Sequence, residues 1–343
     1  MTVTYQTILI TGAGGWLGSL LPGTFVQREP QVSFSFILAD IVQPKVPKGV
    51  PAKFVTKKAD LSKQEEIDGL FTTALGKPDV IVSMHGIMSL GSEENFDLGM
   101  KINFDSTRAL LEKARHSKTE AGKLITFVFT SSVATYGGDL PDLVLPSTAC
   151  TPEGSYGIAK YMGEVLVTEY TRRGFINGIS VKLPTVVPRP GVPSRATSAF
   201  VSGIVREPLA GQEAICPIGT SISDPILAQV GVWVAKPSTT LTNIAQAKNV
   251  VMNVSSREKM MPWSRSVQLP GFTASVADII EALRKVRGQE AVDLIKFEQD
   301  EICQRIVSSW PQAFDNSYAL SLGFVVDKDG YEGAIQEYIK TNM

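Results

Sequence analysis

Cysteine and histidine are both scarce in this chain. Its three cysteines, Cys150, Cys216 and Cys303, stand far apart, which excludes a disulfide framework and a clustered zinc site. Two histidines, His85 and His116, are too few for a histidine-rich metal centre, so no metal is expected. An excess of one charge is lacking as well: 33 Lys and Arg stand against 34 Asp and Glu. With no basic run interleaved with aromatics, no nucleic-acid partner is expected. No apolar run approaches the roughly 18 residues that span a bilayer, and the first apolar stretch lacks the flanks of a secretory leader. These absences predict a cytoplasmic protein with no membrane partner. Repeats and low-complexity segments are also missing. What remains is a chain of 343 residues, 43% hydrophobic and 20% charged, with the balance of an ordinary globular protein. Its length suits one sizeable domain with a smaller appendage.

Glycine, by contrast, is concentrated where it carries information. The apolar run 7–10 breaks into Thr11-Gly12-Ala13-Gly14-Gly15-Trp16-Leu17-Gly18. Gly12 permits a tight turn off a strand, Gly15 allows backbone to approach a diphosphate, and Gly18 lets the following helix pack closely. That helix presents free N–H groups to an anion. A second apolar strand over 34–39 ends in Asp40, placed to accept hydrogen bonds from the two hydroxyls of an adenosine ribose. The same carboxylate repels a 2′-phosphate, so NAD is expected rather than NADP.

Read in order, the chain alternates strands and helices. Trp16 opens a helix that Pro22-Gly23 is expected to kink or end near Leu21. A short strand over 53–56 leads to Asp60-Leu61, where an adenine ring would lie. Ser62 and Glu65 spell a capping box for a helix through Ile67 and Leu75. The next strand, over 78–86, exits through His85 and Gly86. His85 is read as a neutral structural residue, and the backbone of Gly86 and Ile87 as lying close to the cofactor. A helix over 96–114 carries Asn103, read as turned inward to brace that strand exit or else as simply exposed. The apolar, β-branched run 123–130 predicts a central parallel strand ending in Ser131-Ser132. A helix from Ser155 to about residue 172 and a strand over 179–187 follow. The pattern is that of a doubly wound parallel sheet over 1–188. From Pro188 the texture changes to short periodic pieces broken by Pro190, Pro193 and Pro208, which predicts a smaller substrate-binding part over 189–343, some of it returning to the main domain. There, helices are expected over 199–209, 239–250, 276–286 (capped by Ser275) and 330–340, and strands over 214–217 and 267–271. Trp233, Trp263 and Trp310 are read as core or interface residues.

Tyr156 and Lys160 are four apart at a helix start, so their side chains share one face. An ammonium beside a phenol favours the phenolate, giving Tyr156 the part of a general base toward an alcohol or acid toward a ketone. Lys160 is also placed to hold ribose hydroxyls of a nicotinamide cofactor. Ser132, at a strand exit, is suited to hold the oxygen that gains or loses the proton.

The glycine turn over 11–18, Asp40, Asp60-Leu61, Ser132, Tyr156 and Lys160, in this order, resemble the extended short-chain dehydrogenase/reductase superfamily, the group that includes UDP-sugar 4-epimerases and nucleotide-sugar dehydratases. A narrower resemblance, to the D-erythronate dehydrogenase group, is carried by Phe96-Asp97-Leu98-Gly99-Met100, Asn103, the run 107–112, Leu183-Pro184-Thr185-Val186-Val187, Arg189-Pro190-Gly191, the run 200–211 and Leu269-Pro270-Gly271. The resemblance implies a catalytic Ser132, Tyr156 and Lys160. It implies a cofactor surface of Gly12, Gly15, Trp16, Leu17, Gly18, Asp40, Asp60, Leu61, His85, Gly86, Asn103, Ser131, Tyr156, Lys160, Pro184 and Val186. Ser132, Thr185 and Arg189 are the expected substrate contacts, with Arg189 read either as a bidentate partner of a carboxylate or as a brace for its own loop. The implied activity is NAD-dependent oxidation of the 2-hydroxyl of a small sugar acid. A nucleotide-sugar epimerase with tightly held NAD, its diphosphate met by Arg189, Arg195, Arg206 or Arg257, is the alternative. The chain departs from the pattern at Pro22-Gly23 and over 221–243. Exposed stripes on the two long helices predict a homodimer.

Overall fold

A computed structural model describes residues 4–191 and 198–343. Twelve strands are formed among them: β1 (Thr4–Thr11), β2 (Val32–Asp40), β3 (Lys53–Lys58), β4 (Val80–Ser83), β5 (Thr126–Ser132), β6 (Asn177–Leu183), β7 (Thr185–Val186), β8 (Ala214–Cys216), β9 (Gly231–Ala235), β10 (Ser266–Gln268), β11 (Phe272–Ser275) and β12 (Ile295–Phe297). Seven of them build one sheet in the order β10-β6-β5-β4-β1-β2-β3, and every pairing in it is parallel.

The chain winds outward from β1 through β2 to β3 and then crosses to β4 on the other side of β1. That reversal opens a crevice beyond the carboxyl ends of β1 and β4, the place where such sheets bind ligands. Thr11 and Ser83 are register partners at its floor.

Alternation along the strands decides the two faces of the sheet. Ile8 and Ile10 join one core with Leu21, Phe25, Phe36, Leu38 and Ile244. Leu9 joins the other with Ile37, Ile81, Leu110, Phe127, Phe129 and Val167. Helices α1 (Trp16–Arg28), α2 (Gln64–Gly69), α3 (Ser89–Glu94), α4 (Phe96–Met100), α5 (Ser106–Arg115), α6 (Ser155–Arg172), α7 (Ala199–Leu209), α8 (Ile226–Gln229) and α9 (Pro237–Met252) follow in chain order. The first core takes α1 and α9, the second α2, α5 and α6. A further core under the later residues joins Phe200, Val205, Val232, Ile279 and Tyr331. There β9 pairs antiparallel with β11 and parallel with β7. Strand β10 and helix α9 come from this later part of the chain yet complete the main sheet and its first core.

Several expectations are corrected. α1 does not end near Leu21; it runs to Arg28 with Pro22 inside it and buried. The missing hydrogen bond at Pro22 is outweighed by burial of Leu21 and Phe25 against β2. Ser62 caps nothing, because α2 starts after Lys63 and has no side-chain cap. Asp60 and Glu66 take over that turn instead: Ser62 N–H donates to Asp60 Oδ1 at 3.0 Å, and Asp60 N–H donates to Glu66. Helix α2 also ends at Gly69, short of Leu75. The helix expected over 96–114 is interrupted by a π-turn at Lys101–Asp105, which turns Asn103 inward. Trp233 is buried against Phe314, whereas Trp263 is 71% exposed. Pro193 and Arg195 lie outside the described residues. No described helix is long and apolar enough to cross a membrane.

Candidate active site and cofactor cleft

The glycine turn sits directly on the β4 exit. Gly12 has φ +72°, and a Cβ there would stand 2.8 Å from the backbone of Met84 and His85. A Cβ on Gly18 would fall 2.2 Å from the Gly12 carbonyl oxygen, so the helix can approach its own turn only with glycine at that position. Gly15 caps α1 without any side-chain hydrogen bond, leaving the first-turn N–H groups to the cleft.

Two lobes of the cleft meet at Gly12, Gly15, Met84 and Gly86. One, of about 490 Å³, is lined by Asp40, Ile41, Ala59, Asp60, Leu61 and His85. The other, of about 380 Å³, is lined by Trp16, Leu17, Ser131, Ser132, Tyr156, Lys160, Pro184, Val186 and Arg189. Asp40 is locked at the end of β2, its Oδ2 accepting Gly14 N–H at 2.9 Å and its Oδ1 accepting Val42 N–H at 3.3 Å. An anion-ready helix N-terminus between a carboxylate-rimmed lobe and a lobe holding acid–base groups fits a dinucleotide.

His85 and Asn103 hold the β4 exit in place. His85 Nδ1 is 2.7 Å from Thr11 Oγ1 and Nε2 is 2.8 Å from Ser106 Oγ. Ser106 spends its proton on the Ile102 carbonyl, so it accepts from Nε2–H. Thr11 Oγ1 accepts Met84 N–H, which leaves its proton for Nδ1. The network therefore assigns a neutral imidazole, and burial, then the nearby Lys160 charge, pushes His85 down to about 3. Asn103 Oδ1 accepts Ile87 N–H at 2.8 Å, and its Nδ2 donates to the Ile87 carbonyl and Ser92 Oγ, each at 3.0 Å. Its amide is thus spent on bracing rather than on lining the cleft.

Tyr156 is brought to Ser132 because α6 lies hard against the turn that follows β5. A Cβ on Gly157 would be 2.0 Å from the Ala134 carbonyl oxygen. Burial raises the Tyr156 phenol above its ordinary value, while the Ser132 hydroxyl and the Arg189 charge work in the opposite direction. Lys160 Nζ donates to the Thr130 carbonyl at 2.9 Å and stands 5.7 Å from the Tyr156 ring centroid. Burial pulls it down to about 8, against the opposing charge of Glu164. Arg189 spends Nε on the Val186 carbonyl at 3.3 Å. No carboxylate among the described residues forms an ion pair with Arg189, and burial lowers its pKa while Tyr156 opposes the shift.

The structure thus gathers Ser132, Tyr156, Lys160 and Arg189 in one lobe. Thr185 does not line it: paired with Val234 in the small sheet, it leaves that surface to Pro184 and Val186. Met84, Met88 and Leu183 also line the lobe, and Lys101 and Ser106 the other. These five were not anticipated, since apolar or helix-borne residues carry no motif of their own. A cluster below the site was missed too. Ser131 donates to Glu164 Oε1, and Lys182 Nζ reaches Glu164 Oε2 at 2.5 Å, Thr135 Oγ1 at 3.0 Å and Cys150 Sγ at 3.2 Å. Burial works to lower Lys182, but Glu164, Tyr136 and Cys150 more than offset it and the net shift is upward.

Residues 8–224 match the NAD dependent epimerase/dehydratase family. D-Erythronate dehydrogenase of Haemophilus influenzae is 36% identical over 336 residues, 98% of this chain and 99% of its own. The D-erythronate dehydrogenase of Cupriavidus necator is 35% identical over 342 residues, 98% of each. A crystal structure named as a nucleoside-diphosphate-sugar epimerase from Agrobacterium tumefaciens superposes with a TM-score of 0.88 at 35% identity, covering 99% of this chain and 95% of that one. An L-threonine dehydrogenase from Cupriavidus necator shares the fold at 20% identity and a TM-score of 0.76. With two relatives matched from end to end and the dinucleotide cleft at the switch point of its sheet, this chain belongs to the NAD dependent epimerase/dehydratase family.

Proposed function

We propose that this protein oxidises the 2-hydroxyl of a small sugar acid of the D-erythronate kind to the corresponding 2-keto acid. NAD, when bound, supplies the hydride acceptor. Tyr156 takes the hydroxyl proton, Ser132 holds the substrate oxygen as charge develops on it, and Lys160 supplies the neighbouring positive charge. The open end of α1 receives the diphosphate, and Asp40 receives the adenosine ribose hydroxyls.

The observation that carries the choice of substrate is Arg189. Its guanidinium lines the same lobe as Ser132, Tyr156 and Lys160, so a carboxylate bound to it shares that lobe with the acid–base groups, as in a 2-hydroxy acid. The relatives' names support the same class. The name of the Agrobacterium structure favours a second reading, a nucleotide-sugar epimerase. One experiment separates them: NADH formation from free sugar acids, simple 2-hydroxy acids, neutral secondary alcohols and UDP-sugars. Net NADH from sugar acids is expected. Interconversion of UDP-sugars without net NADH, or preference for a neutral alcohol, overturns the proposal.

The same reading includes a cytoplasmic homodimer joined across α6, where Ile158 and Val165 are exposed apolar side chains. A solution mass near the single-chain 37.1 kDa overturns the dimer.

A further inference from the structure

Glu164 continues the line of Tyr156 and Lys160 along α6, each four residues after the last and therefore on one face. Its side chain is 3% exposed and that of Lys182 is 4% exposed. Both carboxylate oxygens are engaged, one by Ser131 and one by Lys182, and the Lys182 ammonium has three partners for its three protons. Ser131 and Lys182 are also register partners across β5 and β6. The proton transfer proposed above makes no use of this pair, and a buried ion pair is a poor device for stability alone.

Lys160 is the neighbour that lacks such a partner. Its ammonium has the Thr130 carbonyl and the Phe129 ring face, 4.9 Å from the ring centroid, and no hydrogen-bonded carboxylate among the described residues. We infer that Glu164 is a positioning residue for the proton transfer: it keeps the Lys160 ammonium charged beside Tyr156 and ties down Ser131 next to Ser132, with Lys182 as its counter-charge. This rests on the acid–base reading of Tyr156 and Lys160.

The charges around this line are few. His85 from the β4 exit is pushed down and neutral at ordinary pH. Tyr136, from the segment between β5 and α6, is held up by burial and stays neutral. Cys150 meets Lys182, the Tyr161 ring lies beyond it, and Arg189 acts on Tyr156. Glu164 is the group that opposes the loss of the Lys160 proton.

The test is the pH profile of kcat/KM for oxidation at saturating NAD. Glu164→Gln removes negative charge near Lys160, so the lysine proton is released sooner and the acid limb is expected to fall by roughly one pH unit. Glu164→Asp keeps the charge and is expected to hold the wild-type limb. Lys182→Met leaves the carboxylate unneutralised and moves the limb upward. The double variant Glu164→Gln, Lys182→Met leaves no buried charge unpaired, so it remains measurable where a single variant does not fold, and its limb is expected below that of Lys182→Met, the difference being the Glu164 charge alone. An unmoved limb in Glu164→Gln, or a double-variant limb no lower than that of Lys182→Met, whatever the loss in kcat, overturns the inference. Tyr156→Phe separates the two layers. Wild-type turnover there overturns the acid–base reading itself, whereas lost turnover there with an unmoved Glu164 limb overturns only the role of Glu164.

Discussion

Asp40 and Gly14 are tied together across the mouth of the cleft, the Gly14 N–H donating to Asp40 Oδ2 at 2.9 Å. The hydrogen bond fixes a carboxylate where the adenosine ribose would lie, and a 2′-phosphate there meets like charge with no arginine among the described residues lining that lobe. NAD is expected to bind at least about tenfold more tightly than NADP, a difference of about 1.4 kcal/mol. Asp40→Ala should narrow the ratio. Equal affinities of the wild type in a fluorescence titration would contradict this.

His85 makes the fold sensitive to acid. Burial first, and the Lys160 charge second, hold it at about 3 in the folded chain, whereas an unfolded histidine titrates near 6.5. Between those values the unfolded chain binds a proton that the folded chain does not, so unfolding free energy falls as pH drops from about 6.5 towards 3. The slope is at most about 1.4 kcal/mol per pH unit. Calorimetry of wild type and His85→Gln over this window should show a shallower decline in the variant. Parallel declines would show that His85 is not the group responsible.

Much of the architecture was readable from the residues because β1, β2, β4 and β5 carry apolar runs bounded by turns. The sheet exits announced themselves similarly, at Asp40 and at Ser131-Ser132. Pro22 misled because local propensity is a weak prior against burial of Leu21 and Phe25 in a core assembled from distant strands. Ser62 misled because Asp60 and Glu66 offered that turn competing hydrogen bonds. Strand β9 carries a signal of its own, the apolar run Val232-Trp233-Val234-Ala235, but it lies in the stretch 221–243 that departs from the family pattern. The Glu164–Lys182 pair joins a helix to a strand, and only the four-residue step from Lys160 to Glu164 hinted at it. Arg189 had two readings: the brace is seen in Nε donating to the Val186 carbonyl, while the carboxylate contact is the one proposed for a guanidinium that also lines the Tyr156 lobe.

That double reading of Arg189 sets its prediction. Arg189→Met should raise KM for a sugar acid roughly 30-fold, the worth of a charge-assisted hydrogen bond of about 2 kcal/mol. Arg189→Lys should recover only part of this, since an ammonium keeps the charge but loses the planar fork. The control is the amide of the same acid, whose KM should move little. An equal penalty for acid and amide would reduce Arg189 to a brace for its loop.

Tyr156→Phe tests the chemistry most directly, because it deletes one oxygen and almost no volume. Burial holds the phenol above its ordinary value, so the wild-type enzyme must ionise it together with Lys160. In the proposed mechanism those two protons are lost as a coupled system rather than from separate residues. Oxidation by the wild type should therefore rise with pH through that joint ionisation, as the phenolate becomes available to take the substrate proton. In the variant no group remains at that position to take it, and turnover should fall at least about 100-fold, the low end for lost proton-transfer catalysis. Its residual rate should be flat across the pH range in which the wild type climbs. NAD affinity should persist, because Asp40, the glycine turn and the open end of α1 are untouched. Stopped-flow NADH formation with a parallel NAD titration reads both quantities, and near-wild-type turnover with an unchanged pH rise would refute Tyr156 as the acid–base group.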